Sequence, residues 1–303
     1  MFKNLKNNYY NEYKMYNLTE LSIPLLMPVI NKYYANWSPF DNEDEIGLGY
    51  DIFKEVKNLL EDSNSSTSAI LSASESSSYL RGGHRNPSQI DSFYRIIWET
   101  WMPPIKRALI NYNIRNCNNV IDFIDLWKPL LPPSMIDNIL DNVIMPKLTQ
   151  EVESWNPLTD TQPIHQWIHP WLPLMSKRLD LLYAPIRHKL SKALTNWHPS
   201  DNSARAILLP WRTVFSSSSW DIFMNNNILP KLEKCLKEFE INPRLQNIEP
   251  WKWVMDWEGL IPDNNFISLI ERAFFPKWFQ VLIIWLNSRP NYEEVSRWYF
   301  GKK

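Results

Sequence analysis

The segment from Trp127 to Pro157 reads WKPLLPPSMIDNILDNVIMPKLTQEVESWNP and contains one unit of a pattern that returns along the chain. In this unit Trp127 is followed nineteen residues later by Pro146. The same interval separates two further pairs, Trp211 from Pro230 and Trp257 from Pro276. An interval that is kept three times indicates a chain built from repeated structural units.

Apolar residues follow each of these prolines at a fixed spacing of two, six and nine positions. After Pro146 these residues are Leu148, Val152 and Trp155. The other examples are Leu232, Leu236 and Phe239 after Pro230, Trp278, Leu282 and Trp285 after Pro276, and Ile30, Tyr34 and Trp37 after Pro28. Steps of four and three residues place side chains on one face of an α-helix.

Pro104 and Pro185 follow the pattern less closely, because the apolar residues after them are shifted by one position toward the N-terminus. With these two included, the marker prolines at 104, 146, 185, 230 and 276 are separated by 42, 39, 45 and 46 residues. A unit of about 40–47 residues that holds two helices is typical of helical-hairpin arrays. The sequence therefore predicts an all-α fold, an α-solenoid-like array of kinked helical hairpins.

The prolines are predicted to bend helices rather than to start them. A proline at a helix start normally follows Ser, Thr, Asp or Asn, whereas Pro146, Pro230 and Pro276 follow methionine, leucine and phenylalanine. A proline inside a helix removes one backbone hydrogen bond and costs about 3 kcal/mol. We therefore expect long helices that bend at each proline and wrap around their neighbours.

The composition of the 303-residue chain narrows its class. It is 44% hydrophobic and 14% aromatic, which is not the composition of a disordered chain. Six glycines against 23 prolines disfavour an all-β fold and leave no glycine-rich phosphate loop. Two distant cysteines, Cys117 and Cys235, indicate a reducing compartment without a disulfide framework. The N-terminus shows no secretory signal and the longest apolar run is short, so we expect a soluble, intracellular protein without a membrane partner.

A serine-rich segment interrupts the helical pattern. Residues 61–78 are half serine and show no apolar periodicity, and residues 79–89 continue this character. The segment 61–89 is therefore predicted to be a disordered insertion within a single helical domain that spans residues 1–303. It is either a plain polar loop or a target of phosphorylation.

The net charge of −1 lacks the basic excess that is usual in sequence-independent nucleic-acid binders. A local basic run nevertheless contains Lys177, Arg178, Arg187, His188, Lys189 and Lys192. One interpretation of this run is the solvated face of a helix. The other is a direct RNA- or DNA-binding module that uses the basic 177–192 helix.

The sequence offers few candidates for catalysis. His165 and His169 are four residues apart, but a zinc protease needs a glutamate directly after the first histidine, and Gln166 stands there. Two pairs of nearby carboxylates, Asp256 with Glu258 and Glu293 with Glu294, would not face each other on a helix. We therefore predict a non-enzymatic protein with no catalytic residue, no cofactor and no metal. A metal-dependent hydrolase at the two histidines is the alternative.

The turns between hairpins are candidate sites for partner binding, because loops on a rigid scaffold often carry recognition. One helix is predicted to end at Trp155–Asn156–Pro157, and another at the segment 197–201. The candidate residues in these turns and near them are Trp155, Asn156, Pro157, His165, His169, Trp171, His198 and Asp201. Burial of the same residues in structural turns is the alternative interpretation.

Several longer segments resemble a known family. They are WNPLTDTQPIHQWIHPWLPL (155–174), DWEGLIP (256–262), FFPKWFQVL (274–282) and PNYEEVSRWY (290–299). These segments resemble the C-terminal GCF-C (GC-rich sequence DNA-binding factor-like) domain of the septin- and tuftelin-interacting protein family. The resemblance covers nearly the whole chain and departs in the serine-rich insertion and after Gly301, where the family tends to continue with a tryptophan.

The resemblance implies part of a nuclear pre-mRNA splicing factor that acts in disassembly of the intron-lariat spliceosome. It also implies spliceosomal proteins of the intron-lariat complex as partners. In that family a glycine-rich G-patch recruits and stimulates a DEAH-box RNA helicase, but these 303 residues contain no G-patch. The helicase contact is therefore assigned to a segment outside this chain. What this chain is expected to supply is a protein-interaction scaffold in the nucleus.

Overall fold

The structure of the protein is a computed structural model that describes residues 2–16, 18–40, 45–60 and 92–301. These residues form helices and turns without a β-strand, which confirms the predicted all-α fold. The chain divides into two compact units, one made of residues 1–151 and 170–176 and the other of residues 152–169 and 177–303. The predicted serine-rich insertion at 61–89 lies outside the described residues, and the single domain over 1–303 stays a prediction.

The α-helices are numbered here in chain order. They are α1 (Phe2–Asn8), α2 (Tyr10–Met15), α3 (Leu18–Tyr33), α4 (Tyr50–Leu60), α5 (Ser92–Ile96), α6 (Met102–Asn111), α7 (Cys117–Trp127), α8 (Pro133–Ile139), α9 (Met145–Ser154), α10 (Ile164–Ile168), α11 (Leu172–Met175), α12 (Asp180–Ala193), α13 (Ser203–Leu208), α14 (Ser217–Asn227), α15 (Leu229–Glu238), α16 (Glu249–Met255), α17 (Asp263–Ala273), α18 (Phe275–Asn287) and α19 (Tyr292–Tyr299). Within the described ranges, no helix has both the length and the apolar content that a membrane crossing requires.

A π-helical segment carries the predicted bend at Pro146. Helices α8 and α9 are joined without a break by Leu140–Ile144, and the N–H of Met145 donates to the carbonyl of Leu140, five residues back. Pro146 follows directly. Its ring would clash with the carbonyl four residues back in a regular α-helix, and the wider π turn relieves this clash. The prediction of one long helix that is interrupted at its proline is confirmed here.

A π-helical segment also joins α5 to α6, and it shows that the marker proline of this unit is not Pro104. Residues 97–101 are π-helical, and the N–H of Met102 donates to the carbonyl of Ile97. The residue that follows is Pro103, which is exposed, as Pro146 is, whereas Pro104 is buried. Pro103 is therefore the marker of this unit, and the expectation of Pro104 was wrong by one residue. Counted from Pro103, the apolar residues Ile105, Leu109 and Tyr112 keep the regular spacing.

At the last two markers a single residue separates the helices. Ile228 lies between α14 and α15 with φ −105° and ψ −53°, and Phe274 lies between α17 and α18 with φ −105° and ψ −57°. Each stands two residues before its proline, Pro230 or Pro276. The predicted single kinked helix is thus two helices with one intervening residue at these positions. The matching backbone angles support the repeat.

The marker tryptophans form the same turn in each unit. The indole rings of Trp127, Trp211 and Trp257 are buried. Their carbonyls each accept the N–H groups of the third and fourth following residues: Leu130 and Leu131, Val214 and Phe215, and Leu260 and Ile261. The constant interval of nineteen residues from tryptophan to proline therefore corresponds to one turn followed by one helix.

The core of the first unit is an aromatic cluster around Trp127. Its ring centroid lies 5.0 Å from that of Trp101, 5.9 Å from Phe53 and 5.9 Å from Phe123. The indole Nε1 of Trp127 donates to the carbonyl oxygen of Ile46 at 2.9 Å. One side chain thus packs the hairpin core and also holds the loop before α4.

Most of the predicted apolar stripes are buried. Leu148, Val152 and Trp155 of α9 are buried, as are the corresponding residues after Pro28 and Pro230. The stripe of α18 differs, because Trp278, Leu282 and Trp285 are only partly buried. Trp298 of α19 contacts two of them, at centroid distances of 5.5 Å from Trp278 and 5.7 Å from Trp285.

Four lysines, which we call the anchor lysines, bind the end of the helix that precedes them in the array. Lys147 of α9 donates to the carbonyls of Leu109, Ile110 and Tyr112 at the end of α6. The other three are Lys189, which donates to Glu153 and Trp155, Lys231, which donates to Thr195 and Trp197, and Lys277, which donates to Leu236, Lys237 and Phe239. A cation suits a helix C-terminus, where the last carbonyls lack intrahelical partners. The anchor lysines therefore join successive hairpins.

Candidate protein-interaction site

The structure gathers four of the eight predicted site residues around one surface cleft of the second unit. Two adjoining cavities of about 320 Å³ and 300 Å³ share Pro157, Leu158, Lys192 and Ala193 as lining residues. Trp155 and Asn156 line the first cavity, and Trp197 and Asp201 line the second. We call this pair of cavities the Trp-Asn-Pro cleft.

One wall of the cleft is the turn that follows α9. The side-chain oxygen of Asn156 accepts the N–H of Leu158 at 3.1 Å, and its backbone oxygen accepts the N–H of Asp160 at 3.0 Å. The ammonium group of Lys189 donates a hydrogen bond to the carbonyl of Trp155 at 2.6 Å. This Asx turn is fixed at several points. It presents Leu158 to solvent with 74% of the side chain exposed.

The opposite wall is the turn between Trp197 and Ser203. The indole Nε1 of Trp197 donates to the carbonyl of Asp201 at 2.8 Å. The carboxylate of Asp201 accepts the N–H of Ser203 at 2.9 Å and its hydroxyl at 2.8 Å. Asp201 therefore stabilises the start of α13 and also places a negative charge at the rim of the cleft.

The chemistry of the cleft suits the binding of a peptide. Leu158 and the partly buried Trp197 offer apolar surface, while the exposed Lys192 and Asp201 supply one charge of each sign. Among the residues that the structure describes, no group of three or more His, Cys, Asp or Glu side chains could hold a metal ion. Apolar surface with a few fixed polar groups is the usual make-up of a recognition site.

His165 and His169 form a partly buried pair next to Trp211. The two imidazole centroids are 5.8 Å apart, and the ring of His169 meets that of Trp211 edge-on at 4.7 Å. Burial lowers the pKa of both histidines, and at His169 the neighbouring His165 adds to this effect, so that its pKa falls to about 4. The pair is therefore neutral at physiological pH and packs against tryptophan.

This burial predicts a loss of stability in acid. Between about pH 6.5, the usual histidine value, and about pH 4, the unfolded chain binds a proton at His169 that the folded chain does not bind. The free energy of unfolding should therefore decrease as the pH falls through this range and be unaffected by His169 above it. His169→Gln should reduce that decrease by about 1 kcal/mol, allowing for partial exposure, in urea titrations at several pH values. The control is the exposed His188→Gln, and equal pH dependence in wild type and His169→Gln would contradict the assignment.

The remaining two predicted residues lie away from the cleft. Trp171 belongs to the first unit and is fully buried. His198 hydrogen-bonds through Nδ1 to Ser200 and meets the ring of Trp253 edge-on at 5.7 Å, beside a separate cavity of about 290 Å³. The burial of Trp155 and Trp171 gives both a packing role, and partner binding by the eight residues stays a prediction.

Intramolecular contacts occupy part of the basic run. The guanidinium of Arg187 lies 5.1 Å from the ring centroid of Phe215, and Lys189 is an anchor lysine. Lys177 and Arg178 precede α12 in a 3-10 turn rather than lying on it. The run therefore does not present one continuous basic helix face.

Sequence reasoning missed three features of this region. Leu158 and Trp197 were not among the eight candidate residues, and Lys192, which lines both cavities, was named only in the basic run. An apolar residue directly after a predicted Asn-Pro turn was the available signal for Leu158. The anchor lysines had a signal as well, because a lysine directly follows Pro146, Pro230 and Pro276.

Comparisons with known proteins show which family and which relatives this chain resembles. A family model described as GC-rich sequence DNA-binding factor-like protein matches residues 1–282. Tuftelin-interacting protein 11 of Xenopus tropicalis is 46% identical over 303 residues, which are 100% of this chain and 34% of that relative. The proteins of the same name from Gallus gallus and Homo sapiens are also 46% identical over the same shares of the two chains. The chain thus spans about a third of the length of these curated relatives.

Proposed function

Because the chain belongs to the family of GC-rich sequence DNA-binding factor-like proteins, we propose that it is the helical scaffold of a nuclear pre-mRNA splicing factor. In this proposal the whole factor acts in disassembly of the intron-lariat spliceosome, and this chain contributes protein contacts rather than catalysis. The family match over residues 1–282 and the 46% identity to tuftelin-interacting protein 11 support the proposal.

The observation that carries the scaffold role is the Trp-Asn-Pro cleft. Its turn is held by Asn156 and Lys189, so Leu158 is presented without a large ordering cost on binding. The partners in this proposal are proteins of the intron-lariat complex. A DEAH-box RNA helicase joins through a G-patch outside this chain. The name of the relatives also refers to a protein partner, tuftelin.

Direct RNA or DNA binding receives less support. The net charge is −1, and Arg187 and Lys189 of the basic run already contact Phe215 and backbone carbonyls. A sequence-independent nucleic-acid site draws its affinity from several cations that meet phosphates. The cleft is lined by Lys189 and Lys192 but also by Asp201, whose carboxylate would repel a phosphate.

A co-purification experiment tests the proposal. The tagged wild-type chain should recover intron-lariat spliceosomes from nuclear extract, with U2, U5 and U6 RNA and their proteins. A Leu158→Glu, Lys192→Glu variant should recover about tenfold less, because it places two negative charges in the cleft. Leu181→Glu, which changes another exposed leucine of the second unit, is the control.

Two results would count against this proposal. Recovery of no spliceosomal protein or RNA by the wild-type chain would remove the splicing role. Equal recovery by wild type and by the cleft variant would remove the cleft as the site. Crosslinking mass spectrometry of purified late spliceosomes would then show which other surface is in contact.

A further inference from the structure

The outer surface of α18 is apolar at positions that are polar in two earlier proline helices, those after Pro146 and Pro230. Counted from the proline, positions three, seven, eight and ten of α18 are Phe279, Ile283, Ile284 and Leu286. The corresponding residues are Thr149, Glu153, Ser154 and Asn156 after Pro146, and Glu233, Lys237, Glu238 and Glu240 after Pro230. The repeat itself therefore does not require apolar side chains at these positions.

These side chains are exposed. Ile283 is 56% and Ile284 62% exposed, and Phe279 and Leu286 are also open to solvent. The partly buried stripe of α18 lies on a different side of the helix, where Trp278 and Trp285 contact Trp298. A contiguous apolar surface of this kind on a folded protein marks an interaction site.

Charge on the surrounding surface limits the possible partners. Lys277 is the one charged side chain in α18, and its Nζ is bound to the carbonyls of Leu236, Lys237 and Phe239. Beside the helix a groove of about 280 Å³ is formed by Val281, Ile284 and Trp285 together with Pro243 and Arg244. Among the residues that the structure describes, Arg244 is the one charged residue that lines this groove. A partner should therefore bring apolar side chains for the helix and a carboxylate for the arginine.

We propose that the outer surface of α18 binds an amphipathic α-helix of a partner protein that carries an acidic side chain beside its apolar row. Such a helix places apolar anchors at steps of three and four residues into an apolar groove. The branched aliphatic side chains of Ile283, Ile284 and Leu286 favour this partner over RNA, because bases stack on flat aromatic rings. The inference rests on the proposed role as a protein-binding scaffold and assigns a second surface, which shares no residue with the Trp-Asn-Pro cleft.

A designed peptide tests this inference on the 303-residue chain. The probe is a fluorescein-labelled helical peptide of about 18 residues, with leucines along one face and two glutamates beside them. Fluorescence anisotropy should show saturable binding in the micromolar range. Ile283→Ser with Ile284→Ser should raise the dissociation constant about tenfold or more. Leu181→Ser, which changes an exposed leucine in α12, should leave it unchanged.

A charge exchange makes the test specific. Arg244→Glu should weaken binding of the glutamate probe and strengthen binding of a probe in which lysines replace the glutamates. Circular dichroism of each variant checks that its helices are retained.

Several outcomes would overturn the inference. They are no binding of the probe, equal binding of a scrambled peptide of the same composition, displacement of the probe by oligouridine, and a loss of binding that Leu181→Ser shares. Light scattering that found a dimer, dissociated by Ile283→Ser with Ile284→Ser, would assign the surface to a second copy of the chain. A failed probe with intact recovery of intron-lariat particles would overturn this inference alone and leave the proposed function in place.

Discussion

Replacing Trp127 with alanine is expected to lower the free energy of unfolding of the first unit by about 4 kcal/mol. The indole is fully buried and lies 5.0 Å from Trp101 and 5.9 Å from Phe53. Its removal leaves a cavity among rings that cannot collapse fully, and it leaves the carbonyl of Ile46 without its indole donor. Urea titration followed by far-UV circular dichroism measures the loss.

Two further variants separate the causes of this loss. Trp127→Phe keeps most of the aromatic packing and removes the hydrogen bond to Ile46, so it should cost about 1–2 kcal/mol. Trp98 is the exposed comparison, since it is 38% exposed and stacks on Tyr94 near Lys106. Trp98→Ala should cost less than about 1 kcal/mol. Equal losses for Trp98→Ala and Trp127→Ala would show that Trp127 is not the centre of this core.

Replacing Lys147 with methionine should lower the free energy of unfolding by about 2–3 kcal/mol. Its ammonium group donates to three carbonyls, those of Leu109 at 2.7 Å, Ile110 at 2.8 Å and Tyr112 at 2.5 Å. Methionine keeps the apolar stem but removes the charge and all three donors. Burial lowers the pKa of Lys147, with the nearby Glu151 opposing this shift, so desolvation offsets part of the gain. The same urea titration measures the effect.

The control for this variant is a lysine that meets only a surface carboxylate. Lys234 lies 3.8 Å from Glu238 on the exposed side of α15, and exposed pairs of this kind contribute little. Lys234→Met should change the free energy of unfolding by less than about 0.5 kcal/mol. If Lys147→Met were as mild, the anchor lysines would not contribute to joining the hairpins.

Much of the fold could be predicted because burial leaves a periodic record in the sequence. The stripe after Pro146 and the constant interval from Trp127 correspond to a helix and a turn that recur. Of the adjacent prolines 103 and 104, the spacing of Ile105, Leu109 and Tyr112 already favoured Pro103, and the exposure of the two prolines agrees with it. The π turns could not be predicted, because they reflect how the whole helix packs around its proline.

The candidate site was predicted less completely. Asn156, Pro157 and Asp201 could be found because turn chemistry is local in sequence. Lys192 was predicted only as part of the basic run, because it lines the same cavity as Pro157 only in the folded chain. The acceptors of the anchor lysines Lys147, Lys231 and Lys277 likewise lie 34 to 41 residues earlier in the chain. Contacts over such separations depend on tertiary packing, which apolar periodicity alone does not specify.

The anchor lysines also make successive hairpins depend on one another in one direction only. In each of the four steps the later hairpin supplies the cation and the earlier hairpin supplies the carbonyls. Removing a later hairpin leaves the last carbonyls of the helix before it without the lysine that they accept from. Removing an earlier hairpin only exposes a lysine ammonium group, which water solvates readily. Loss of structure should therefore spread more easily toward the N-terminus than toward the C-terminus. The array therefore has a direction, although the helices that compose it resemble one another.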